Sequence, residues 1–236
     1  MDMTYVVVPT YNEAENIESL LKEILSLNLG VRILIVDDNS PDGTGRIAEE
    51  LSHKNSLVEV MKNPAKAGLG RAYLKGFWYV LEQGAQKVVT MDADFSHRPR
   101  EIPSLLEKSD AYDVVVGSRH VPGAELDYPW FRKMVSLSAV SFARWLLGLG
   151  IKDCTSAFRV YNRRALKCVL KKQNYSDGYI FLVELLFRLH KKGYTMVEVP
   201  IVFKDRERGR SKMAVPEEIM NGVYSLIRLK IGSILP

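Results

Sequence analysis

The sequence has little cysteine and no long hydrophobic run, and each scarcity excludes a class of protein. Its two cysteines, Cys154 and Cys168, provide neither a disulfide framework nor the repeated ligand spacing of a zinc site, which favours a reducing compartment. The most apolar stretch, residues 137–151, is too short to span a bilayer and contains Arg144. The N-terminus enters a β-branched run almost at once, so we expect no signal peptide.

Two phosphate-binding motifs are also missing. Gly68-Leu69-Gly70 is similar to the start of a dinucleotide fingerprint, but Tyr73 stands where the third glycine belongs and no clear strand precedes the motif. No Gly-Lys-Ser/Thr sequence of the P-loop kind is present, so NAD and ATP binding of these kinds are excluded. No recognition motif accompanies the basic and aromatic residues, so we expect no nucleic-acid partner.

The net charge of +5 hides an asymmetry between the two halves of the chain. Residues 1–118 carry 12 basic and 18 acidic side chains, whereas residues 119–236 carry 21 basic and 10 acidic ones. A basic second half predicts an anionic partner, and phosphates or a lipid surface fit that prediction best.

The order of apolar segments predicts an α/β fold. The chain of 236 residues is long enough for one large α/β domain or two small ones. Continuous apolar strands separated by helices are typical of a parallel sheet covered on both faces, and Pro200 places the last strand at an edge or a bulge. Strands are predicted over residues 5–8, 31–36, 57–61, 88–91, 113–117 and 197–203. Helices are predicted over 12–30, after the turn cluster 37–43, over 68–81, 131–149 and 179–192, and from 216 onward.

Asp92-Ala93-Asp94 closes one of these strands and is the strongest local signal for chemistry. Side chains alternate along a strand, so both carboxylates are expected to point the same way just past its carboxyl end. Ligands bind at that edge in open α/β sheets, and the loops after the first two strands bring further polar and acidic residues there. Paired hard oxygens suit Mg²⁺ or Mn²⁺, and such ions usually accompany a phosphate-bearing substrate.

Six loop motifs follow one another along the chain. They are Pro9-Thr10-Tyr11-Asn12-Glu13, Asp37-Asp38-Asn39-Ser40-Pro41-Asp42-Gly43, Asp92-Ala93-Asp94, Gly117-Ser118-Arg119, Asp153-Cys154-Thr155-Ser156-Ala157-Phe158-Arg159 and Arg206-x-x-Gly209-x-Ser211-Lys212. In this order and spacing they resemble the family 2 glycosyltransferases of the GT-A fold, and among these the polyprenyl-phosphate (dolichyl-phosphate) mannose synthases. The resemblance runs from Val6 to about Lys212, and no single motif carries it alone.

The resemblance implies the fold and the division of the chain. The fold would be α/β: a GT-A (Rossmann-like) nucleotide-sugar-binding domain with a central, mostly parallel sheet flanked by helices. Residues 1–236 would form a single catalytic domain. Its nucleotide-sugar-binding half would be residues 1–120, and its acceptor-binding half, with C-terminal amphipathic helices, would be residues 121–236.

The resemblance also implies a nucleotide pocket and a metal site. Asp92, Ala93 and Asp94 would hold the diphosphate through Mg²⁺ or Mn²⁺, with Asp94 as the direct ligand and Asp92 as the second metal-site residue. Many relatives carry Gln where this chain has Ser96, so the two aspartates and water would have to suffice. The nucleotide itself would contact Pro9, Tyr11, Glu13, Val36 and Asp38.

Cationic residues would hold the phosphates of both substrates. The acceptor, a dolichyl or polyprenyl phosphate, would lie against Arg132 and Ser136. Arg119, Arg206 and Lys212 would bind donor phosphates. The implied catalytic set is Asp94, Arg119, Arg206 and Lys212.

The implied reaction is the inverting transfer of mannose from GDP-mannose to the lipid phosphate, which gives a polyprenyl β-D-mannosyl phosphate for glycan assembly. The leaving nucleoside diphosphate needs a metal ion and cations to absorb its developing charge. A phosphate monoester has a second pKa of about 6, so the nucleophile is ionised at neutral pH without a general base. A hydroxyl acceptor would need such a base, and Asp127 and His97 are the nearest candidates.

A long polyprenyl acceptor implies a reaction at a membrane, although no span is predicted. We expect peripheral association through the 131–149 helix and the C-terminal helix, with Lys133, Arg228 and Lys230 near an anionic surface. Relatives either carry transmembrane helices or rely on small membrane-anchoring subunits, and the chain resembles the second type or a truncated form of the first. The enzyme would lie on the cytoplasmic face of the endoplasmic reticulum in a eukaryote or of the plasma membrane in a prokaryote.

Three other functions were compared with the sequence, and the first of them fits it as well. The same fold could serve a UDP-glucose or UDP-N-acetylhexosamine enzyme that acts on a polyprenyl phosphate. A sugar nucleotidyltransferase would begin with a Gly-rich loop containing Arg, which residues 9–13 do not match. A non-catalytic nucleotide-sugar-binding subunit would not need Asp92, Asp94 and the cationic residues together.

Several motif residues have an ordinary structural interpretation. Asp42 is expected to form a turn. Arg159 is expected to pair with Asp153 rather than to take part in catalysis. Trp145 and the apolar residues of the last helices are expected to lie in the core.

Overall fold

The computed structural model describes residues 2–127, 130–170, 176, 178, 180–204 and 216–231, and for residues 130–133, 135, 204 and 216–221 it describes the backbone alone. Within these residues the strands are β1 (Thr4–Thr10), β2 (Arg32–Asp37), β3 (Val58–Lys62), β4 (Lys87–Thr90), β5 (Val114–Ser118), β6 (Glu125–Asp127), β7 (Arg159–Asn162), β8 (Met196–Pro200) and β9 (Val202–Lys204). The helices are α1 (Ile17–Ser26), α2 (Thr44–Lys54), α3 (Leu69–Glu82), α4 (Ile102–Lys108), α5 (Trp130–Leu147), α6 (Arg163–Leu170), α7 (Ile180–Lys191) and α8 (Pro216–Ile231), with a 3₁₀ turn over Pro99–Glu101 before α4.

Seven of the described strands form one sheet in the order β3-β2-β1-β4-β7-β5-β8. All neighbours are parallel except β7, which runs antiparallel to both β4 and β5. The strands β6 and β9 pair in parallel as a separate two-stranded sheet. The predicted mostly parallel sheet flanked by helices is confirmed. The strand expected at residues 197–203 is divided at Pro200 into β8, which lies at the predicted sheet edge, and β9.

The apolar runs of the sheet are buried because helices cover both faces. Alternate residues of β1 enter separate layers: Val7 packs in a cluster with Tyr73 of α3, whereas Val6 packs in a cluster with Leu20 of α1. Helix α3 lies very close to the sheet at Gly76, where a Cβ atom would come within 2.8 Å of Cγ1 of Val7. These strands and helices hold the loops at the carboxyl ends of β1, β2 and β4 in place.

The sequence did not predict β6, β7, α4 or α6. Strand β7 has four residues, Arg-Val-Tyr-Asn, and begins with a charged side chain, so no apolar run marks it. It nevertheless lies in the centre of the sheet, where Val160 and Tyr161 are buried. The helices α4 and α6 have 7 and 8 residues, too few for a helical pattern to stand out.

Helices α5 and α8 pack against each other, and each carries large exposed apolar side chains, which together we call the α5/α8 apolar face. It consists of Met134, Phe142, Trp145, Tyr224, Ile227 and Ile231. The expectation that Trp145 lies in the core is wrong, because the residue is 78% exposed. Helix α5 also buries Val140 and Leu147, so its apolar residues occupy more than one side and their spacing alone could not identify the side that meets the core. Of the helices that the structure describes, none combines the length and hydrophobicity needed to cross a membrane.

Asp113 ties three segments together just before β5. Its Oδ1 accepts hydrogen bonds from the side chains of Asn162 and Arg164, both at 2.7 Å. Its Oδ2 accepts hydrogen bonds from the N–H and the hydroxyl of Thr195, both at 2.9 Å. Burial raises the pKa of Asp113, but these hydrogen bonds outweigh burial and lower the pKa to about 2.

The variant Asp113→Asn should remove an acid-labile contribution to stability. A carboxylate whose pKa is depressed in the folded state stabilises the fold above its unfolded-state pKa of about 3.9, and this stabilisation is lost as the pH falls toward the folded-state pKa. Between about pH 5 and pH 3, we expect the wild-type free energy of unfolding to fall by about 1 kcal/mol more than that of the variant. Urea unfolding curves across this range measure the difference, and parallel losses in both proteins would contradict it.

Candidate functional site

The carboxyl ends of β1, β2 and β4 meet at one edge of the sheet, and the loops that follow them form the candidate site. Asp37 joins two of these loops. Its Oδ1 accepts hydrogen bonds from the hydroxyls of Thr10 (3.1 Å) and Ser40 (2.6 Å), and its Oδ2 accepts one from the Ser40 N–H (3.0 Å). The Ser40 hydroxyl in turn accepts the N–H of Asn12, a residue in the left-handed region at φ 61°. Asp37 is buried, and these hydrogen bonds join the loop after β1 to the loop after β2.

Asp38 fixes the segment that leads into α3. Its Oδ1 accepts hydrogen bonds from the Asn63 amide and the Ala67 N–H, both at 2.8 Å, and its Oδ2 accepts the Gly68 N–H at 2.7 Å. Burial raises the pKa of Asp38, but these hydrogen bonds outweigh burial and keep the pKa below its usual value. Gly68 lies at φ 95°, which favours glycine. The nucleotide contact of Asp38 stays a prediction.

The other residues implied for the nucleotide lie on β1 and β2 and in the loop after β1. Pro9, Tyr11 and Glu13 are half-buried. The Lys66 ammonium group lies 3.7 Å from the centre of the Tyr11 ring. Val36 is fully buried, with its side chain in the core, and its nucleotide contact stays a prediction.

The expectation that Asp42 forms a turn is confirmed. Its Oδ1 accepts hydrogen bonds from the N–H (3.0 Å) and the hydroxyl (2.6 Å) of Thr44, and its Oδ2 accepts the Ala14 N–H (3.0 Å). Asp42 therefore closes the turn before α2 and connects it to the loop after β1.

Asp92-Ala93-Asp94 lies in a strained turn after β4. Phe95 adopts a left-handed conformation with φ 61°, which costs a residue other than glycine about 1 kcal/mol or more. Asp94 is 4% exposed, and its Oδ1 accepts the Ser96 N–H at 3.1 Å. The Asp92 side chain is 31% exposed. The two carboxylates therefore differ in their access to solvent.

His97 is buried against the same turn. Its Nδ1 accepts the Asp92 N–H at 3.1 Å. Burial lowers the pKa of His97 to about 4, and the nearby charge of Asp94 offsets this effect only in part. The Asp92 N–H occupies the Nδ1 lone pair and the ring is buried, so His97 is unsuited to remove a proton from an acceptor. The sequence analysis considered His97 only as a base and missed its contact with the Asp92 backbone. The sequence feature that could have indicated this contact is the short separation of five residues.

Arg119 forms a buried ion pair with Asp153. Its N–H (2.9 Å) and Nε (2.7 Å) donate to Oδ2 of Asp153, and its Nη2 donates to Oδ1 (2.8 Å) and to the Thr155 hydroxyl (2.7 Å). Burial raises the pKa of Asp153, but the hydrogen bonds and charge of Arg119 outweigh burial and hold the pKa far below its usual value. The guanidinium also lies over the Phe203 ring, 5.0 Å from its centre. The phosphate contact of Arg119 stays a prediction.

The expected pairing of Arg159 with Asp153 is wrong. Arg159 is fully buried, and its guanidinium donates to three uncharged oxygens. These are the Leu182 carbonyl (2.7 Å), the Cys154 carbonyl (2.8 Å) and the Tyr161 hydroxyl (3.0 Å). Arg159 is near Asp153 in the sequence, but Arg119 reaches it instead because β5 and β7 are neighbours in the sheet.

The remaining predicted site residues fall wholly or partly outside the described structure. Arg206 and Lys212 lie outside the described residues. Arg132 lies on α5, but its side chain is not among those described, and Ser136 is half-buried on the same helix. The phosphate and acceptor roles of these four residues stay predictions.

The donor set at the turn fits a divalent cation that prefers oxygen ligands. Among the described residues, no three side chains of His, Cys, Asp or Glu gather into a metal site. Asp92 and Asp94 supply two carboxylates, and Mg²⁺ typically binds through one or two carboxylates, substrate phosphates and water. A structural zinc site would need four protein ligands.

Comparisons with known proteins agree with this geometry. Residues 5–170 match the family model described as glycosyl transferase family 2. The polyprenol monophosphomannose synthase of Mycolicibacterium smegmatis is 44% identical over 214 residues, which cover 89% of this chain and 81% of that protein. The undecaprenyl-phosphate mannosyltransferase of Micrococcus luteus is 40% identical over 219 residues, which cover 91% of this chain and 90% of that protein.

Solved structures share the fold at lower identity. The mannosyl-3-phosphoglycerate synthase of Rubrobacter xylanophilus has a TM-score of 0.72 at 20% identity, over 99% of this chain and 75% of that one. A mannosyltransferase of Pyrobaculum calidifontis, solved with GDP-Man and Mn²⁺, has a TM-score of 0.62 at 18% identity, over 94% of this chain and 69% of that one. The predicted GT-A fold is confirmed.

Removal of the Asp153 carboxylate should destabilise the protein strongly. Asp153→Ala leaves the largely buried Arg119 guanidinium without its partner, and we expect the free energy of unfolding to fall by about 3–5 kcal/mol. The double variant Arg119→Met/Asp153→Leu removes both charges and should recover part of this loss. Urea unfolding at neutral pH compares them, and equal losses in the single and double variants would show that the unpaired charge is not the cause.

Proposed function

The chain belongs to glycosyltransferase family 2, and on this basis we propose that it transfers mannose from GDP-mannose to a dolichyl or polyprenyl phosphate. The product would be a polyprenyl β-D-mannosyl phosphate, formed with inversion at the sugar carbon. The observation that carries the proposal is the 44% identity to a polyprenol monophosphomannose synthase over 89% of the chain. The relationship to an undecaprenyl-phosphate mannosyltransferase supports the same class of acceptor.

Asp92 and Asp94 are proposed to hold Mg²⁺ or Mn²⁺ against the donor diphosphate. When bound, the ion would offset the negative charge that develops on the leaving nucleoside diphosphate. The two carboxylates of the turn support this assignment, and so does the Mn²⁺ found with GDP-Man in the mannosyltransferase of similar fold. Asp94, with its Oδ1 held by the Ser96 N–H, is the direct ligand in this proposal, and Ala93 lies beside the diphosphate.

The nucleotide is proposed to lie along the loops after β1 and β2. Asp37 and Asp38 fix these loops by hydrogen bonds within the protein, so less conformational freedom is lost when a ligand binds. Tyr11 offers an aromatic ring beside the Lys66 cation. The proposed nucleotide contacts are Pro9, Tyr11, Glu13, Val36 and Asp38.

Cationic residues are proposed to hold the phosphates within a single catalytic domain, residues 1–236. The excess of basic over acidic residues in 119–236 supports this role. Arg119 extends from the end of β5, and its ion pair with Asp153 sets the orientation of its guanidinium. The proposed phosphate contacts are Arg119, Arg206 and Lys212 for the donor and Arg132 and Ser136 for the acceptor.

A phosphate acceptor fits the chemistry of this site better than a hydroxyl does. Of the two candidate bases, His97 is buried with its Nδ1 lone pair occupied by the Asp92 N–H, and Asp127 lies on β6, in the separate two-stranded sheet. A phosphate monoester is largely ionised at neutral pH, since its second pKa is about 6, and no proton needs to be removed from it. The protein residues would then orient the acceptor and keep the two anionic substrates together.

The α5/α8 apolar face is proposed to lie on the cytoplasmic surface of the membrane that carries the lipid acceptor. Large exposed apolar patches mark binding surfaces, and Trp and Tyr rings are enriched at membrane interfaces. Arg228 and Lys230 lie near the end of α8, where they can meet anionic lipid headgroups. A small membrane-anchoring subunit is the alternative occupant of this face.

Incubation with Mg²⁺ or Mn²⁺, polyprenyl phosphate and a panel of GDP- and UDP-sugars tests the proposed reaction. We expect lipid-linked mannose from GDP-mannose, and we expect Asp94→Asn to lower turnover by about 100-fold or more because a main source of charge stabilisation is lost. Asp110→Asn is a matched control, since that carboxylate is 78% exposed and pairs with Lys87 at the opposite end of β4. Transfer from a UDP-sugar alone would refute the donor assignment, and no turnover with any sugar would favour a non-catalytic subunit.

Sedimentation with phosphatidylglycerol vesicles tests the proposed membrane surface. Trp145→Ser should lower the partition coefficient about tenfold, because burial of such a ring contributes on the order of 1–2 kcal/mol. Added salt should weaken the binding of the wild-type protein. Trp78→Ser is the matched control, since Trp78 is 53% exposed on α3. Equal binding by the two variants would contradict the assignment of the α5/α8 apolar face.

A further inference from the structure

His97 is a buried imidazole that the proposed transfer reaction does not use. The residue is 1% exposed. Its ring stacks on Phe158, with ring centres 5.2 Å apart and an angle of 22° between the planes. Phe203 meets the ring edge-on, with centres 5.8 Å apart and an angle of 71°. Because two aromatic rings enclose it, the orientation of the imidazole is set by packing.

The polar contact of His97 identifies its tautomer. The Asp92 N–H donates to Nδ1, so Nδ1 must offer a lone pair and the ring proton must lie on Nε2.

The turn that His97 contacts is strained and needs support. Strand β4 ends at Thr90, and Phe95 has a positive φ of 61°. A strained backbone persists only where surrounding contacts determine it. Among the contacts that the structure describes here, Asp94 accepts the Ser96 N–H through Oδ1, and Asp92 donates its own N–H to His97.

We infer that His97 is a positioning residue for the metal site: its Nδ1 holds the Asp92 N–H and thereby sets the direction of the Asp92 and Asp94 carboxylates. The inference rests on the metal role proposed above. In this inference His97 is not a metal ligand and acts through the backbone of the turn. The Phe203 ring contacts both the His97 imidazole and the Arg119 guanidinium, so the packing around His97 is connected to the Arg119–Asp153 ion pair.

Two substitutions separate the acceptor from the aromatic packing. His97→Phe keeps a ring between Phe158 and Phe203 but removes the acceptor. His97→Asn removes the ring but can place its side-chain oxygen near the position of Nδ1. Mn²⁺ affinity in the presence of GDP, measured from the electron paramagnetic resonance signal of free Mn²⁺, reports on the carboxylates without a need for turnover.

We expect His97→Phe to weaken Mn²⁺ binding by about 10–100-fold, the usual effect of losing a partner that orients metal ligands. His97→Asn should bind Mn²⁺ more nearly like the wild type than like the Phe variant. Wild-type affinity in His97→Phe would overturn the inference. Equal losses in both variants would also overturn it, because packing of the ring would then be the cause.

The tautomer gives a second test that does not depend on the Phe variant folding. Long-range ¹⁵N–¹H spectra of the wild-type protein, with the His97 signals assigned by their loss in His97→Asn, should show the proton on Nε2. A proton on Nδ1 would exclude the contact with Asp92 and overturn the inference. Failure of the wild type to bind Mn²⁺ with GDP would instead refute the proposed metal role, and the tautomer would still decide whether His97 holds the turn.

Discussion

The candidate site depends on the antiparallel pairing of β7 with β4. Because the two strands run in opposite directions, the loop before Arg159 lies beside the turn that follows Thr90. The Thr90 hydroxyl donates to the Ala157 carbonyl at 2.6 Å and fastens this junction between residues 67 positions apart in the chain. A parallel strand in this place would bring the same loop to the other end of the sheet. The pairing therefore brings Phe158 to the turn that carries Asp92 and Asp94.

Most acidic residues at this edge shape the backbone. Asp37, Asp38 and Asp42 accept hydrogen bonds from backbone N–H groups that lie outside the strands. Asp153 forms an ion pair with Arg119. Buried polar networks that are satisfied in this way are rigid. Asp92 differs from them, because much of its side chain is exposed. Because these loops are already fixed, a ligand can bind beside them without a rearrangement of the backbone.

The parts of the structure that could be predicted from the sequence are those with local signals. Strands β1 and β2 and the turn after β4 are marked by apolar runs that end in polar residues. Strand β7 carries no such pattern, because its place in the sheet is decided by partners elsewhere in the chain. The guanidinium of Arg159 donates to uncharged oxygens. A search of the sequence for a nearby opposite charge therefore gave Asp153, which is the wrong partner. The exposure of the Trp145 side chain could not be predicted from the sequence, because α5 carries apolar residues on more than one side.

The burial of Arg159 also bears on how accurately the chain folds. Strand β7 has only four residues, and so few backbone pairs specify its register weakly. A slip of one residue would turn Arg159 to the opposite face of the sheet, away from the Leu182 and Cys154 carbonyls that accept its protons. A buried cation without acceptors costs about 3–5 kcal/mol, so the misaligned chain is the less stable one. The guanidinium thus favours the correct register of β7, and with it the position of the loop before Arg159 beside the turn after β4.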